Sequence, residues 1–225
     1  MVRGRISKVV VFLLCLVPLI SLAWSWRTEH LTANPIEYIT RFTGTWTLQL
    51  LCVTLAITPL RKLLRQPDLI RFRRMIGLFA FFYGVLHLIT YLWLDRYFEW
   101  EILPAAVQRA GFFSFILKDV LKRPFITAGF TAFLLMTPLA FTSTRGWIRR
   151  LGGKRWQLLH RLVYFSAIAG VIHYYWLVKS DVRLPLLFAG IVGVLLLYRI
   201  AASIAARFKR APSVSAARAG RAPAP

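Results

Sequence analysis

The sequence predicts an all-α membrane protein, a six-transmembrane-helix bundle with both termini in the cytoplasm. Three observations lead there. The 225-residue chain is 58% hydrophobic, with a mean hydropathy of +0.59. Its apolar residues gather into six runs that approach the about 20 residues needed to cross a bilayer core of about 30 Å. Its cations collect in alternate loops, as the positive-inside rule requires of cytoplasmic segments.

The first span, 9–26, follows the basic start MVRGRISK. The apolar run is longer than a signal-peptide core and is followed by no small-x-small cleavage site, so it reads as a retained helix. Pro18 is a tolerated kink, since neighbouring helices can satisfy the carbonyl it frees. A short outer loop leads to the second span, 42–60, which runs into the basic loop RKLLRQPDLIRFRR. The third span, 75–94, carries His87 and ends in WLDRYFEWEI, with aromatics at the depth where Trp and Tyr prefer to sit. Residues 104–123 (PAAVQRAGFFSFILKDVLKR) space their apolar positions helically, as an amphipathic helix lying along the outer face would, either as a connection or as a docking surface. The fourth span is 124–141. The basic segment after it places Gly152-Gly153 in a turn, without a phosphate-binding fingerprint. The fifth span, 156–178, carries His160 and His173. The sixth, 184–206, has Arg199 near its inner end, placed to snorkel. Residues 207–225, rich in Pro, Ala and Ser with positive charge, read as a disordered cytoplasmic tail.

The net charge of +22 would suggest nucleic acid in a soluble protein. Here it is distributed as topology instead. Arg61, Lys62, Arg65, Arg71, Arg73 and Arg74 fill one inner loop, and Arg145, Arg149, Arg150, Lys154 and Arg155 fill another, with Asp68 alone offsetting them. The other acids lie in the opposite loops or at their borders. The partners implied are membrane lipid and proteins at its two faces, with no nucleic acid. No soluble catalytic domain fits in the remaining length, and the absence of Asp and Glu from the spans argues against a proton-coupled transporter. Cys15 and Cys52 fall inside spans without a CxxC spacing and read as packing residues.

Three of the four histidines lie within spans, where an ionisable residue implies a functional site. Imidazoles without carboxylates point to heme iron, which they bind axially. His87 lies about 18 Å from the inner end of its helix and His173 about 25 Å from the inner end of its own, so the two share the outer half of the bilayer. They are placed to clamp one heme, and Gly77, Ala80, Gly84, His87 and Tyr91 form a small-residue stripe beside it. His160 stands near the cytoplasmic face, about 140° around a straight helix from His173. A second, inner heme through His160 would need another ligand. Counting back from His87 by the same spacing gives Arg74, not histidine. Met75 could ligate, and Arg74, with Arg161 nearby, is better suited to a heme propionate. Without an inner heme, His160 is an interfacial histidine bonded to a carbonyl. His30 reads as an exposed loop residue.

The segments RRMIGLFAFFYGVLHLITY, KRWQLLHRLVYFSAIAGVIHYYW and PIEYITRFTGTWTLQLLCVTLAITPLR resemble a ferric-reductase-type transmembrane domain. Within that group the chain, over roughly 34–178, is similar to the heme-binding subunit of the bacterial periplasmic protein-methionine-sulfoxide reductase system, the MsrQ or YedZ family. The resemblance implies an inner-membrane cytochrome with heme b. It implies electrons arriving from the quinone pool or a cytoplasmic flavin reductase and leaving to a periplasmic molybdopterin-containing methionine-sulfoxide reductase subunit. It also implies FMN, and matches His87, His160 and His173 to the family's heme histidines. Direct reduction of ferric or other metal ions at the outer face, and a non-enzymatic heme sensor or carrier, stand as the alternatives.

Overall fold

The computed structural model describes residues 2–208, with side chains from Ile6 onward, and every regular element among them is helical. The elements are α1 (Val2–Arg27), α2 (Pro35–Leu63), a 3₁₀ turn (Pro67–Leu69) and α3 (Ile70–Ile89). From α3 the chain continues through a π-helical stretch (Thr90–Tyr97) into α4 (Phe98–Glu101). Then follow α5 (Ala105–Gln108), α6 (Phe112–Lys122), α7 (Pro124–Phe141), α8 (Arg145–Leu159), α9 (Leu162–Leu177) and α10 (Arg183–Phe208). Of the expected tail, Arg207 and Phe208 form the last turn of α10, and the remainder lies outside the described residues.

Among the described residues, five helical segments are long and apolar enough to cross a membrane: 6–27, 35–63, 67–101, 124–141 and 183–208. The fifth expected span is corrected. The predicted continuous helix over 156–178 is broken at His160 and Arg161, which leaves α9 with 16 residues, about 24 Å long. The break is set by contacts to the end of α7. Trp156 Nε1 donates to the Thr142 carbonyl at 2.9 Å, and His160 Nε2 lies 3.3 Å from the Thr142 hydroxyl. Both contacts pin the end of α8 to the end of α7, so the chain has to turn before it can rise as α9. The expected Gly152-Gly153 turn is a kink inside α8, where Gly152 takes φ +72°, a conformation glycine adopts without steric cost.

Two antiparallel pairs, α2 with α3 and α7 with α9, form the centre. Small residues let their backbones approach closely, as in membrane bundles generally. Gly77 and Gly84 of α3 face Thr54 and Thr47 of α2. Between α7 and α9, the Ser166 hydroxyl donates to the Ala132 carbonyl at 2.9 Å. Leu48, Leu51, Leu55, Ala80, Tyr83, Val163 and Ala167 are buried between these helices. Large apolar side chains such as Leu14, Leu134, Phe165 and Leu197 point outward, as suits helices solvated by hydrocarbon.

Prolines lie inside α1, α2 and α7, and beside the first two polar side chains take up what the interrupted ladder releases. Pro59 has no N–H for the Leu55 carbonyl, and Arg199 Nη2 donates to that oxygen at 2.8 Å. The expected snorkelling of Arg199 is thus replaced by an inward contact. Beside Pro18, the Tyr83 hydroxyl enters the α1 ladder, donating to the Cys15 carbonyl at 2.8 Å and accepting from the Leu19 N–H at 3.1 Å. Cys15 and Cys52 are buried free thiols.

Candidate functional site: a paired-imidazole cavity

His87 projects from α3 and His173 from α9 into one cavity of about 310 Å³ between the two helix pairs. Their ring centres are 6.0 Å apart, and the ring planes are inclined at 74°. Each imidazole is fixed by its inner nitrogen. His87 Nδ1 lies 2.8 Å from the Thr40 carbonyl, and His173 Nδ1 lies 2.6 Å from the Phe125 carbonyl. A carbonyl can only accept, so Nδ1 carries the proton in both rings and Nε2 is left with its lone pair.

The two halves are built alike. Four residues after Thr40 comes Gly44, and four after Phe125 comes Gly129. A Cβ on Gly44 would stand 3.0 Å from His87 Nδ1, and one on Gly129 would stand 2.8 Å from His173 Nδ1. Each histidine therefore lies against a glycine of the partner helix, one turn from the carbonyl it bonds. Three residues before each histidine is a further glycine, Gly84 or Gly170, and both line the cavity. The local sequences are Gly-Val-Leu-His and Gly-Val-Ile-His. That shared flank is a sequence signal of the matched pair. The carbonyls of Thr40 and Phe125, and the glycines beside them, carry no such mark.

The spacing suits a metal held between the rings. A bond of about 2 Å to each nitrogen, plus about 1 Å from nitrogen to ring centre, sets the centres of two opposed imidazoles about 6 Å apart. The remaining lining is mostly apolar, including Leu48, Leu51, Phe130, Phe133 and Met136, with Arg41, Asp95 and Arg123 at the polar end. A flat apolar group bearing acidic substituents fits that distribution. At the same end Tyr91 donates to Asp119 at 2.6 Å, and Asp119 also pairs with Arg123 at 2.8 Å and Arg96 at 3.7 Å. These bonds tie α6 to the helix that carries His87. The amphipathic helix expected over 104–123 is divided into α5 and α6 at Gly111, which takes φ +82°, and α6 buries Ile116 and Asp119 while exposing Phe113, Leu117 and Leu121.

His160 is not brought to this pair. It ends α8, with its ring centre 3.9 Å from that of Trp156 and its Nε2 beside the Thr142 hydroxyl. Its pKa is pushed down to about 4 by burial and then by the Arg73 charge, so the ring is neutral at pH 7. The 140° separation expected from a straight helix does not apply, because the helix is broken between the two histidines. Arg74 and Arg161 are both exposed, and Arg73 is the cation that turns toward His160. Met75 packs against the core, and His30 is exposed.

Fold and cavity together define a bundle of apolar helices that brings two imidazoles into one cavity. In agreement, residues 43–171 match the family described as ferric reductase like transmembrane component. The chain is 53% identical, over 86% of its length and 84% of the relative's, to the protein-methionine-sulfoxide reductase heme-binding subunit MsrQ of Herminiimonas arsenicoxydans. It is 46% identical to the MsrQ of Rhodospirillum rubrum over 98% of this chain and 95% of that one. The Caulobacter vibrioides MsrQ is 47% identical over 84% of each. The chain belongs to the MsrQ family. No solved structure matches it.

Proposed function

We propose that this chain is the membrane electron-transfer subunit of a protein-methionine-sulfoxide reductase system, holding one heme b between His87 and His173. The observation that carries the reading is the pair itself: ring centres 6.0 Å apart, with both Nδ1 atoms committed to carbonyls. One-electron chemistry is supplied by the heme iron when bound. The chain's part is to hold both imidazoles in one tautomer, exclude water with an apolar lining, and receive acidic substituents near Arg41 and Arg123. His160 is assigned a structural role, because its ring face and Nε2 are engaged by Trp156 and Thr142.

In this reading the chain crosses the bacterial inner membrane six times, with α9 as the short span and 1–206 as one domain. Its basic end faces the cytoplasm and takes electrons from the quinone pool or a flavin reductase. The His87–His173 end faces the periplasm, where a molybdopterin-containing subunit would accept them. FMN is proposed on family likeness alone.

The test is a pyridine hemochrome assay with electron paramagnetic resonance on wild type, His87→Ala, His173→Ala and His160→Ala. Each of the first two is expected to abolish the same low-spin signal, and the third to keep it. Because the ring planes are inclined at 74°, that signal should be of the highly anisotropic kind given by crossed axial imidazoles. A low-spin signal unchanged in both His87→Ala and His173→Ala would sink the assignment.

A further inference from the structure

Asp119 of α6 does not line the paired-imidazole cavity, yet it is bonded to both halves of its wall. The residue is buried, and its two carboxylate oxygens go to different sides. Oδ2 accepts from the Tyr91 hydroxyl at 2.6 Å. Tyr91 lines the cavity four residues after His87, one turn further along the same continuous helix. Oδ1 pairs with Arg123 Nε at 2.8 Å, and the Asp119 carbonyl accepts from the Arg123 N–H at 3.1 Å. Arg123 stands two residues before Phe125, whose carbonyl fixes His173. The Thr127 hydroxyl, donating to the Val120 carbonyl, fastens the same joint between α6 and α7. One carboxylate thus braces the helix that carries His87 against the helix end that anchors His173.

The π-helical stretch Thr90–Tyr97 makes the first half of this brace possible. Residues five apart on an α-helix lie about 140° from each other, so Tyr91 and Arg96 would face different ways. Bonding from i to i+5 brings them onto one face. There Arg96 Nη1 stands 3.7 Å from Asp119 Oδ2, and its guanidinium carbon lies 5.8 Å from the centre of the Tyr91 ring. Arg96 is itself held by Asp95 at 2.9 Å and by Glu99 at 2.5 Å, so it is a fixed cation beside the carboxylate. Hydrogen bonds to a charged group are the strong ones in a protein. Helices in lipid have no hydrophobic drive to stay paired, so such bonds weigh heavily in setting their spacing.

We propose that Asp119 is a positioning residue for the paired imidazoles, its two oxygens fixing the separation of His87 from His173. It touches neither ring. On one side it acts through Tyr91, and on the other through the segment from Arg123 to Phe125. The spectroscopic consequence rests on the heme reading above, whereas the brace is a property of the chain alone.

The test compares the full-length wild type with Tyr91→Phe, Asp119→Asn and Asp119→Ala, by hydrogen–deuterium exchange mass spectrometry and by electron paramagnetic resonance of the ferric protein. Tyr91→Phe removes the Oδ2 bond alone. Asparagine keeps an oxygen for Tyr91 but loses the charge that pairs with Arg123. Exchange is therefore expected to rise over residues 85–91 in the first variant, over 124–130 in the second, and over both in Asp119→Ala. In Asp119→Ala the bound heme should move about tenfold from the two-ligand, low-spin form toward the one-ligand, high-spin form, the worth of one charge-assisted hydrogen bond. The two partial variants should show smaller shifts. The proposal is overturned by wild-type exchange in Asp119→Ala, or by a low-spin signal in that variant identical to wild type. It is also overturned if all three variants loosen the same segments equally, as a general loss of stability would. A wild type without low-spin heme would remove the heme assignment, and the exchange pattern would still decide the brace.

Discussion

Gly44 and Gly129 set where the two imidazoles stand. Each histidine must reach a carbonyl one turn before its glycine, and the shortest route passes over a backbone with no Cβ. A methyl group at position 129 would stand 2.8 Å from one ring nitrogen and 2.9 Å from the neighbouring carbon of His173, closer than real Cβ contacts come. The ring cannot retreat without losing the Phe125 carbonyl, which alone fixes its tautomer. Gly129→Ala is therefore expected to remove most of the bound heme, with Gly44→Ala, at 3.0 Å, somewhat milder. Gly190→Ala, where nothing lies within 4 Å, is the control and should leave heme content unchanged. Heme-to-protein ratio after purification checks all three. A full complement of low-spin heme in Gly129→Ala would mean that the ring has another place to sit.

At the scale of elements, side chains repair what proline opens. Tyr83 is fully buried, and its hydroxyl occupies the gap between the Cys15 carbonyl and the Leu19 N–H, so α1 is bolted to α3 through its own broken ladder. Tyr83→Phe removes the bolt and leaves two buried backbone groups to find each other or go unpaired. The expected cost is about 1–2 kcal/mol, read as a lower thermal midpoint by circular dichroism, with the heme spectrum intact. An unchanged midpoint would show that the α1 ladder closes by itself. The same elements show what could be read from sequence. The long apolar runs were legible because span length follows from bilayer thickness alone. The fourth span, 124–141, coincides with α7, and the sixth, 184–206, differs from α10 only at its ends. The break at His160 was not legible, because Gln-Leu-Leu-His-Arg-Leu-Val contains no helix breaker and the turn is imposed by Thr142 from a different helix. For the same reason the depth argument could pair His87 with His173 but could not find Thr40, Phe125 or their glycines. Those are defined by tertiary contact, not by local chemistry. Arg73 and Arg74 are adjacent in sequence, and only the rotation of α3 decides which turns toward His160.

For the whole molecule, charge and geometry divide the bundle into two unlike ends. The paired imidazoles share an end with Asp95, Arg96, Glu99, Asp119 and Arg123, where acids and arginines pair with one another. The other end carries Arg73, Arg199, the basic face of α8 and few acids. An electron entering at the basic end would have to travel up the bundle to the imidazoles, so the direction of transfer depends on which end faces the cytoplasm. The positive-inside rule places the α8 end there. Ala106 and Lys154 are exposed at opposite ends, and the native Cys15 and Cys52 are buried, so single cysteines at those two positions report orientation against a low background. In spheroplasts, a membrane-impermeant maleimide is expected to label Ala106→Cys at once and Lys154→Cys only after lysis. The reverse pattern would turn the bundle over and send electrons inward. Equal labelling of both before lysis would break the link between charge distribution and topology on which the outward path rests.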